Sequence, residues 1–321
     1  MRDILVSENV SGPAMDALKR DFDVAFEPLL WKEQEKLLRA VSDCRAIVVR
    51  NQTRVDRELI AAGKNLKVIG RAGVGLDNVD VKAATEARVA VVSTPEQNSI
   101  SVAELAIGLM LGLARMIPSA DRSTRGGGWE RQKFTGVEMF GKTLGIVGLG
   151  RIGFLVATRA KALGMRIVAH DTFVSPDSFM VSECSATLVS LDELLQQADV
   201  ITVHIPATPQ TRGMFGGALF RRMKPGALFI NTSRGEVVDE AALIRALQEK
   251  DIAGAALDVR AKEPPENSAL SEMENVILTP HIAAFTVEGQ RRVVESVCHD
   301  VAAVLRGQKP RYAVNSVSRT E

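Results

Sequence analysis

TLGIVGLGRIGFLVATRAKALGMRIVAHD, residues 143–171, decides how this chain is read. A short apolar run, 143–148, meets glycines at fixed spacing, Gly148, Gly150 and Gly153, and leads into the helical pattern FLVATRAKALG. A second apolar run, 166–171, ends in the carboxylate of Asp171. The order is strand, tight turn, helix, strand. In such a unit the first glycine permits the turn, the second lets a pyrophosphate approach the backbone, and the third packs helix on strand. The helix start, with Arg151 and Ile152, offers N–H groups and the positive end of a dipole to phosphates. Asp171 lies 18 residues past Gly153 (171 minus 153). A carboxylate there accepts from both ribose hydroxyls and repels a 2′-phosphate, and neither Thr172 nor Phe173 supplies a cation. The motif therefore predicts NAD rather than NADP.

On either side of this unit the same alternation continues. Upstream, short apolar runs at 4–8, 23–27, 46–50, 67–71 and 89–93 alternate with helical patterns such as 14–20 and 33–40. Downstream they recur at 200–206, 227–233, 253–259 and 275–280. Alternating strands and helices predict parallel sheets covered on both faces. Two such series imply two domains with a cleft between them. The stretch 101–115 reads as a hinge helix whose Ser101 and Glu104 form a capping box. Residues 122–134, rich in glycine and charge, read as an arm or extended loop. Residues 289–307 read as a closing amphipathic helix that returns to the first domain. The expected boundaries are 1–97 with 284–321 for one domain and 98–283 for the other.

Composition narrows the class. With 46% hydrophobic and 25% charged residues and a net charge of +1, the 321-residue chain reads as globular, with no basic block for nucleic acid or a membrane surface. The most apolar stretch, 102–113, contains Glu104 and is too short to span a bilayer. The first ten residues lack the long apolar region of a secretory signal. Cys44, Cys184 and Cys298 are odd in number and widely spaced, which fits reduced thiols in a cytoplasm. No residue group is assigned to a metal.

Three residues carry candidate chemistry. His281 directly follows the apolar run VILTP, where ligand-facing residues of α/β sheets lie. An imidazole can protonate a carbonyl or take a hydroxyl proton near neutral pH. Glu263, in AKEPPE, would raise its pKa and orient the ring. Arg234, in NTSRGEVVDE, offers a planar fork for a carboxylate; the plain alternative is a surface salt bridge. His204 ends the run VITVH and is read as lining the cofactor pocket, whereas His170 and His299 are read as surface or packing residues. Asp258 ends AGAALDV, either beside a nicotinamide or as a strand-end cap.

Taken together, GLGRIG, VHIPATPQT, NTSRGEVVDE, GAALDV, EPP and LTPHIA resemble the D-2-hydroxyacid dehydrogenase family. VVRNQT, VIGRAGVGLDNVD, NSISVAELAIGLML and GGWERQKFTGVEMFGKTLGIVGLGRIG are similar to its D-3-phosphoglycerate dehydrogenase branch. The resemblance spans nearly the whole chain. It implies a Rossmann NAD-binding domain inserted into a flavodoxin-like substrate domain, both doubly wound. Arg234, Glu263 and His281 fall on the catalytic positions. The resemblance places Gly148, Gly150, Arg151, Ile152, Gly153, Asp171, His204, Pro206, Thr211, Thr232 and Asp258 at the NAD site. It assigns the N–H groups of Arg71, Ala72, Gly73, Val74 and Gly75 to the substrate carboxylate. Arg50, Arg71 and Arg131 fall on phosphate-contacting positions, Arg131 reaching across from the partner of a homodimer that pairs through 101–140.

The implied reaction moves a hydride between NAD and a D-2-hydroxy acid with a second anionic group, D-3-phosphoglycerate above all. Sulfolactate, glycerate and lactate are the alternative acids. C-terminal-binding-protein corepressors share the fold and the Arg, Glu and His, so the triad alone also admits a nucleotide-sensing binding protein. Departures from the family pattern are Ala283, Ala284 and Phe285 after HI, where Gly, Ala and Ser are usual, and Asn51 in place of Ser. The sequence ends soon after AVNSV, so regulation by serine through C-terminal domains is not expected.

Overall fold

A computed structural model describes residues 2–266 and 268–317. The chain forms two compact units: residues up to Asn98 with those from Thr286 onward, and Ser99–Phe285.

The first unit holds strands β1 (Arg2–Val6), β2 (Val24–Phe26), β3 (Cys44–Val49), β4 (Val68–Arg71) and β5 (Ala90–Val92). They pair in parallel in the order β2-β1-β3-β4-β5. This is the flavodoxin-like order. Side chains alternate between two cores, as the two-residue period of a strand requires. Leu5, Ile47, Val49, Ile69 and Val91 pack on one face. Ile4, Val6, Val48, Val68 and Val92 pack on the other, with Val293, Val297 and Val301 of the helix Val287–Leu305. That helix lies so close to β4 that a methyl group at Gly70 would stand 2.6 Å from Val301.

The second unit holds β6 (Thr143–Val147), β7 (Arg166–His170), β8 (Thr187–Leu188), β9 (Val200–Val203), β10 (Leu228–Asn231), β11 (Gly254–Leu257) and β12 (Val276–Leu278). The order is β12-β11-β10-β9-β6-β7-β8, all parallel. Strand order reverses between β6 and β9, so the crevice of a Rossmann sheet opens at their carboxyl ends. Phe215, Phe220 and Phe229 cluster in one core, with Phe229 ring centroids 5.1 and 5.4 Å from the other two. Such pairs add about 0.5–1.5 kcal/mol each beyond area burial. The opposite core joins Leu144, Ile146 and Ile230 to the helix Ser99–Ala114.

Some local expectations fail. Helix 99–114 already begins at Ser99, so Ser101 and Glu104 lie inside it and form no capping box at its start. The capping box is at Ser190 and Glu193, at the start of helix Leu191–Gln197. Part of the expected loop at 122–134 is helical: Ile117–Arg125 is an α-helix and Arg131–Phe134 a 3-10 turn. Strand β8 carries no long apolar run and was not anticipated from the sequence.

Candidate active site

The carboxyl ends of β6, β7, β9, β10, β11 and β12 deliver Gly148, Asp171, His204, Thr232, Asp258 and His281 in turn. Parallel pairing puts these ends along one edge of the sheet.

The glycine turn is built as the motif requires. Gly148 has φ +93°, and a methyl group there would sit 2.6 Å from the His204 carbonyl oxygen. At Gly153 the methyl would stand 2.1 Å from the Gly148 oxygen, so helix and turn meet backbone to backbone. At Gly150 the same methyl would meet nothing within 4 Å. That glycine keeps a ligand-facing surface open rather than serving the protein's own packing. Helix Arg151–Ala162 starts there without a side-chain cap, leaving its first N–H groups to an anion. Asp171 is already oriented: it accepts the Leu149 N–H at 2.8 Å and the Phe173 N–H at 2.8 Å.

Two buried polar atoms at neighbouring strand ends support the same assignment. Among the described residues, His204 Nδ1 and Thr232 Oγ1 have no hydrogen-bond partner. Burial pushes the His204 pKa down to about 3, so the ring is neutral at working pH. Its Nε2 lies 3.0 Å from Thr202 Oγ1. Pro206 and Thr211 close a local turn, the Thr211 hydroxyl donating to the Pro206 carbonyl at 2.6 Å. The residues present therefore fit a dinucleotide: an open glycine, an uncapped helix start, an anchored carboxylate, and an imidazole nitrogen and a hydroxyl without partners among the described residues.

Beyond β11 and β12 stands the proton-transfer group. His281 Nδ1 lies 2.7 Å from Glu263 Oε2, with the two side chains 41% and 34% exposed. The bond from Glu263 holds the His281 pKa above the ordinary 6.5, against the pull of partial burial. Partial burial pushes Glu263 up, but the His281 and Arg260 bonds outweigh it and leave the carboxyl below the usual range. The positive charge of Arg234 acts on both groups. Gly235 allows the Arg234 segment to pass the Arg260 backbone, because a methyl there would lie 2.0 Å from the Arg260 carbonyl carbon.

Sequence reasoning overlooked the supports of this pair. Arg260, buried, forms a two-pronged ion pair with Glu240 at 2.7 and 3.1 Å. Glu240 also takes the Ala261 N–H, while the Arg260 N–H donates to Glu263 Oε1 at 3.0 Å. One oxygen of Glu263 is thus fixed by backbone and the other meets the imidazole. Asp258, 1% exposed, accepts from Thr279 Oγ1 at 2.6 Å and from the Ile282 and Ala283 N–H groups at 2.9 Å. Its own carbonyl takes the His281 N–H at 2.8 Å. These bonds hold His281 at φ +54°, a left-handed conformation that costs a non-glycine residue about 1–3 kcal/mol. Ala283 is buried, and Phe285 two residues on is 57% exposed.

The first unit has its own cluster. Gly73 has φ +148°, a conformation that residues with a side chain rarely adopt, and the Arg71 guanidinium folds over the loop beside it. The Ala72 N–H donates to the Val49 carbonyl and the Gly73 N–H to that of Arg71. Both are therefore committed within the fold, which leaves the Arg71, Val74 and Gly75 N–H groups of the expected anion ligands. The Arg50 guanidinium donates to Gln290 Oε1 and, at 3.4 Å, to the Asn9 carbonyl. Gln290 lies on the far side of the sequence from Arg50, and no motif announced it. Asn98, whose Oδ1 is buried without a partner among the described residues, was also overlooked. Arg131 opens the 3-10 turn of the arm in the second unit and is exposed.

The three cysteines are buried and free. Burial pushes Cys44 up to about 11 and Cys298 up to about 12, so neither is a thiolate nucleophile. Among the described residues no single helix is long and apolar enough to cross a membrane.

Comparison with known proteins agrees with this geometry. Residues 107–283 match the family described as D-isomer specific 2-hydroxyacid dehydrogenase, NAD binding domain. A D-3-phosphoglycerate dehydrogenase of Archaeoglobus fulgidus is 48% identical over 97% of this chain, and the chain spans 59% of that protein's length. The TT0316 protein of Thermus thermophilus superposes with a TM-score of 0.91 at 35% identity, covering 98% of this chain and 100% of that one. A glyoxylate reductase of Paecilomyes thermophila superposes at 0.87 with 34% identity, covering 98% of each. The chain belongs to the D-isomer specific 2-hydroxyacid dehydrogenase family, with its NAD-binding domain at residues 107–283.

Proposed function

We propose that this protein is an NAD-dependent D-2-hydroxyacid dehydrogenase for an acid with a second anionic group, D-3-phosphoglycerate being oxidised to 3-phosphohydroxypyruvate. The observation that carries the chemistry is the His281–Glu263 bond of 2.7 Å under the charge of Arg234. NAD, when bound at Gly148, Gly150, Gly153 and Asp171, supplies the hydride acceptor. His281 removes the hydroxyl proton at Nε2, the ring nitrogen not engaged by Glu263, and returns it in the reverse direction. Glu263 fixes the ring and stabilises the imidazolium that forms. Arg234 holds the substrate carboxylate and polarises the neighbouring carbon–oxygen bond. The Val74 and Gly75 N–H groups are further carboxylate ligands.

Support for the substrate comes from arginine placement and from relatives. Arg50 follows β3 and Arg71 ends the adjacent β4, more cation than a neutral side chain calls for. The Archaeoglobus fulgidus relative is a D-3-phosphoglycerate dehydrogenase. On this reading the protein works in the cytoplasm, in serine biosynthesis. It pairs as a homodimer through 101–140, with Arg131 of the partner subunit joining the anion site.

NADH formation from D-3-phosphoglycerate, sulfolactate, glycerate, lactate and malate tests the reading, with NADP in parallel. A clear preference for phosphoglycerate with NAD supports it. Preference for another acid keeps the proton-transfer assignment and discards the phosphate site. Turnover on none of them, with a stable protein partner in its place, would favour a binding protein.

A further inference from the structure

Glu8 is 3% exposed, and a buried carboxylate is costly unless its oxygens are satisfied. It lies just past β1, beside the turn that follows the adjacent β3. Its Oε1 accepts the N–H groups of Arg50 and Thr53, both at 2.8 Å, and its Oε2 that of Gln52 at 3.1 Å. Three backbone donors thus converge on the two oxygens of one carboxylate, which satisfies its buried charge. From the other side Asn78 Nδ2 donates to the carbonyls of Arg50 at 2.8 Å and Thr53 at 2.7 Å. The Thr53 hydroxyl meets Ser7 Oγ at 2.8 Å, both buried. The turn 50–53 is therefore clamped through its N–H groups and its carbonyls together. The Glu8 oxygens accept from backbone donors, while the Arg50 guanidinium lies in the field of the Glu8 charge and has the neutral Asn9 carbonyl and Gln290 amide among its partners.

Resting on the reading that Arg50 meets the substrate's second anionic group, we propose that Glu8 is a positioning residue for anion selection. By fixing the turn it sets where the Arg50 guanidinium stands. Glu8→Gln keeps the shape but turns an amide N–H₂ toward backbone N–H groups. Hydrogen bonds to a charged group are worth about 1.5–3 kcal/mol, so the variant's KM for 3-phosphohydroxypyruvate should rise about 10- to 100-fold. Its kcat should change less than about twofold, and so should its KM for hydroxypyruvate, which lacks the second anion. Glu8→Asp should recover part of the loss.

Arg50→Ala, measured beside it, separates the two ideas. If Arg50→Ala raises KM for the phosphorylated substrate alone while Glu8→Gln moves both substrates equally or neither, the positioning role is overturned and the substrate reading stands. If Arg50→Ala is itself unselective, the substrate reading falls. Should Glu8→Gln fail to fold, Asn78→Ser decides: a KM rise selective for the phosphorylated substrate supports the clamp, and an unselective change or none overturns it.

Discussion

Two buried carboxylates, one in each unit, perform the same structural task on different side chains. Asp258 follows β11 and holds the segment after its neighbour β12, which carries His281. Glu8 follows β1 and holds the segment after its neighbour β3, which carries Arg50. Each accepts hydrogen bonds from three residues of the held segment. The difference lies in what is presented. Asp258 steadies an imidazole whose pKa is held above the ordinary 6.5 and whose backbone is left-handed. Glu8 steadies a guanidinium that stays charged at any working pH. On the proposed function, the same wiring serves chemistry in one unit and recognition in the other. Perturbing the two should separate kcat from KM and pH-dependent from pH-independent effects.

The largest expected effect is at the imidazole. His281→Ala should lower kcat by about 10²–10⁴-fold, with NADH affinity by fluorescence titration unchanged. Wild-type turnover in that variant would remove His281 from the reaction and leave the comparison without its chemical half.

Glu263→Gln sharpens the contrast through pH. Oxidation of the hydroxy acid needs neutral His281, so its kcat/KM should rise as pH passes through the raised histidine pKa, above 6.5. Reduction of the keto acid needs the imidazolium and should fall over the same window. Because the Glu263 bond is the main cause of the upward shift, Glu263→Gln should move both limbs to lower pH, with kcat down about 10- to 100-fold. Unmoved limbs would mean that another group titrates.

Asp171→Asn tests the second carboxylate of the NAD-binding unit. The Phe173 and Val174 N–H groups can still bond the amide oxygen, while the Leu149 N–H, which bonds the other carboxylate oxygen, would face the amide N–H₂; the turn is loosened there and repulsion of a 2′-phosphate is lost. The ratio of kcat/KM for NAD over NADP should drop about tenfold, as expected for about 1.4 kcal/mol. A constant ratio would break the cofactor argument.

The smallest effect is predicted where the guanidinium acts. The ratio of KM values between Arg50→Ala and wild type should stay within about twofold from pH 7.5 to 9, since the guanidinium keeps its charge and a phosphate monoester is a dianion well above its second pKa of about 6. A ratio that follows the His281 titration would show that the two carboxylate-held segments do not act separately.

Much of this was legible in residue order, for reasons that particular residues make plain. The glycine motif at 148–153 could be read because each glycine answers a local demand: a positive φ at Gly148, an open surface at Gly150, a 2.1 Å approach at Gly153. Buried parallel strands such as Cys44–Val49 read as apolar runs because both faces are covered. The short β8 did not, since Thr187 and Leu188 at a sheet edge bury little. Ser101 and Glu104 matched a capping pattern inside a helix, where pattern alone cannot say which turn comes first. Glu240, Arg260, Asn78 and Gln290 were silent in the sequence. Each works through a partner at least 20 residues away, and an isolated Glu, Arg, Asn or Gln has no local signature.

What the sequence determined by itself was periodicity and special residues: two series of parallel strands, a dinucleotide turn, a carboxylate at the end of the next strand, and an Arg, Glu and His in an order that resembles one family. These follow from short-range rules of backbone sterics and burial, which operate over a few residues. Tertiary structure alone decided which carboxylate supports which segment: Glu240 on Arg260, Asp258 on the turn that bears His281, Glu8 on the turn that bears Arg50. Those pairings arise when strands distant in sequence become neighbours in a sheet, and no pattern along the chain encodes that adjacency.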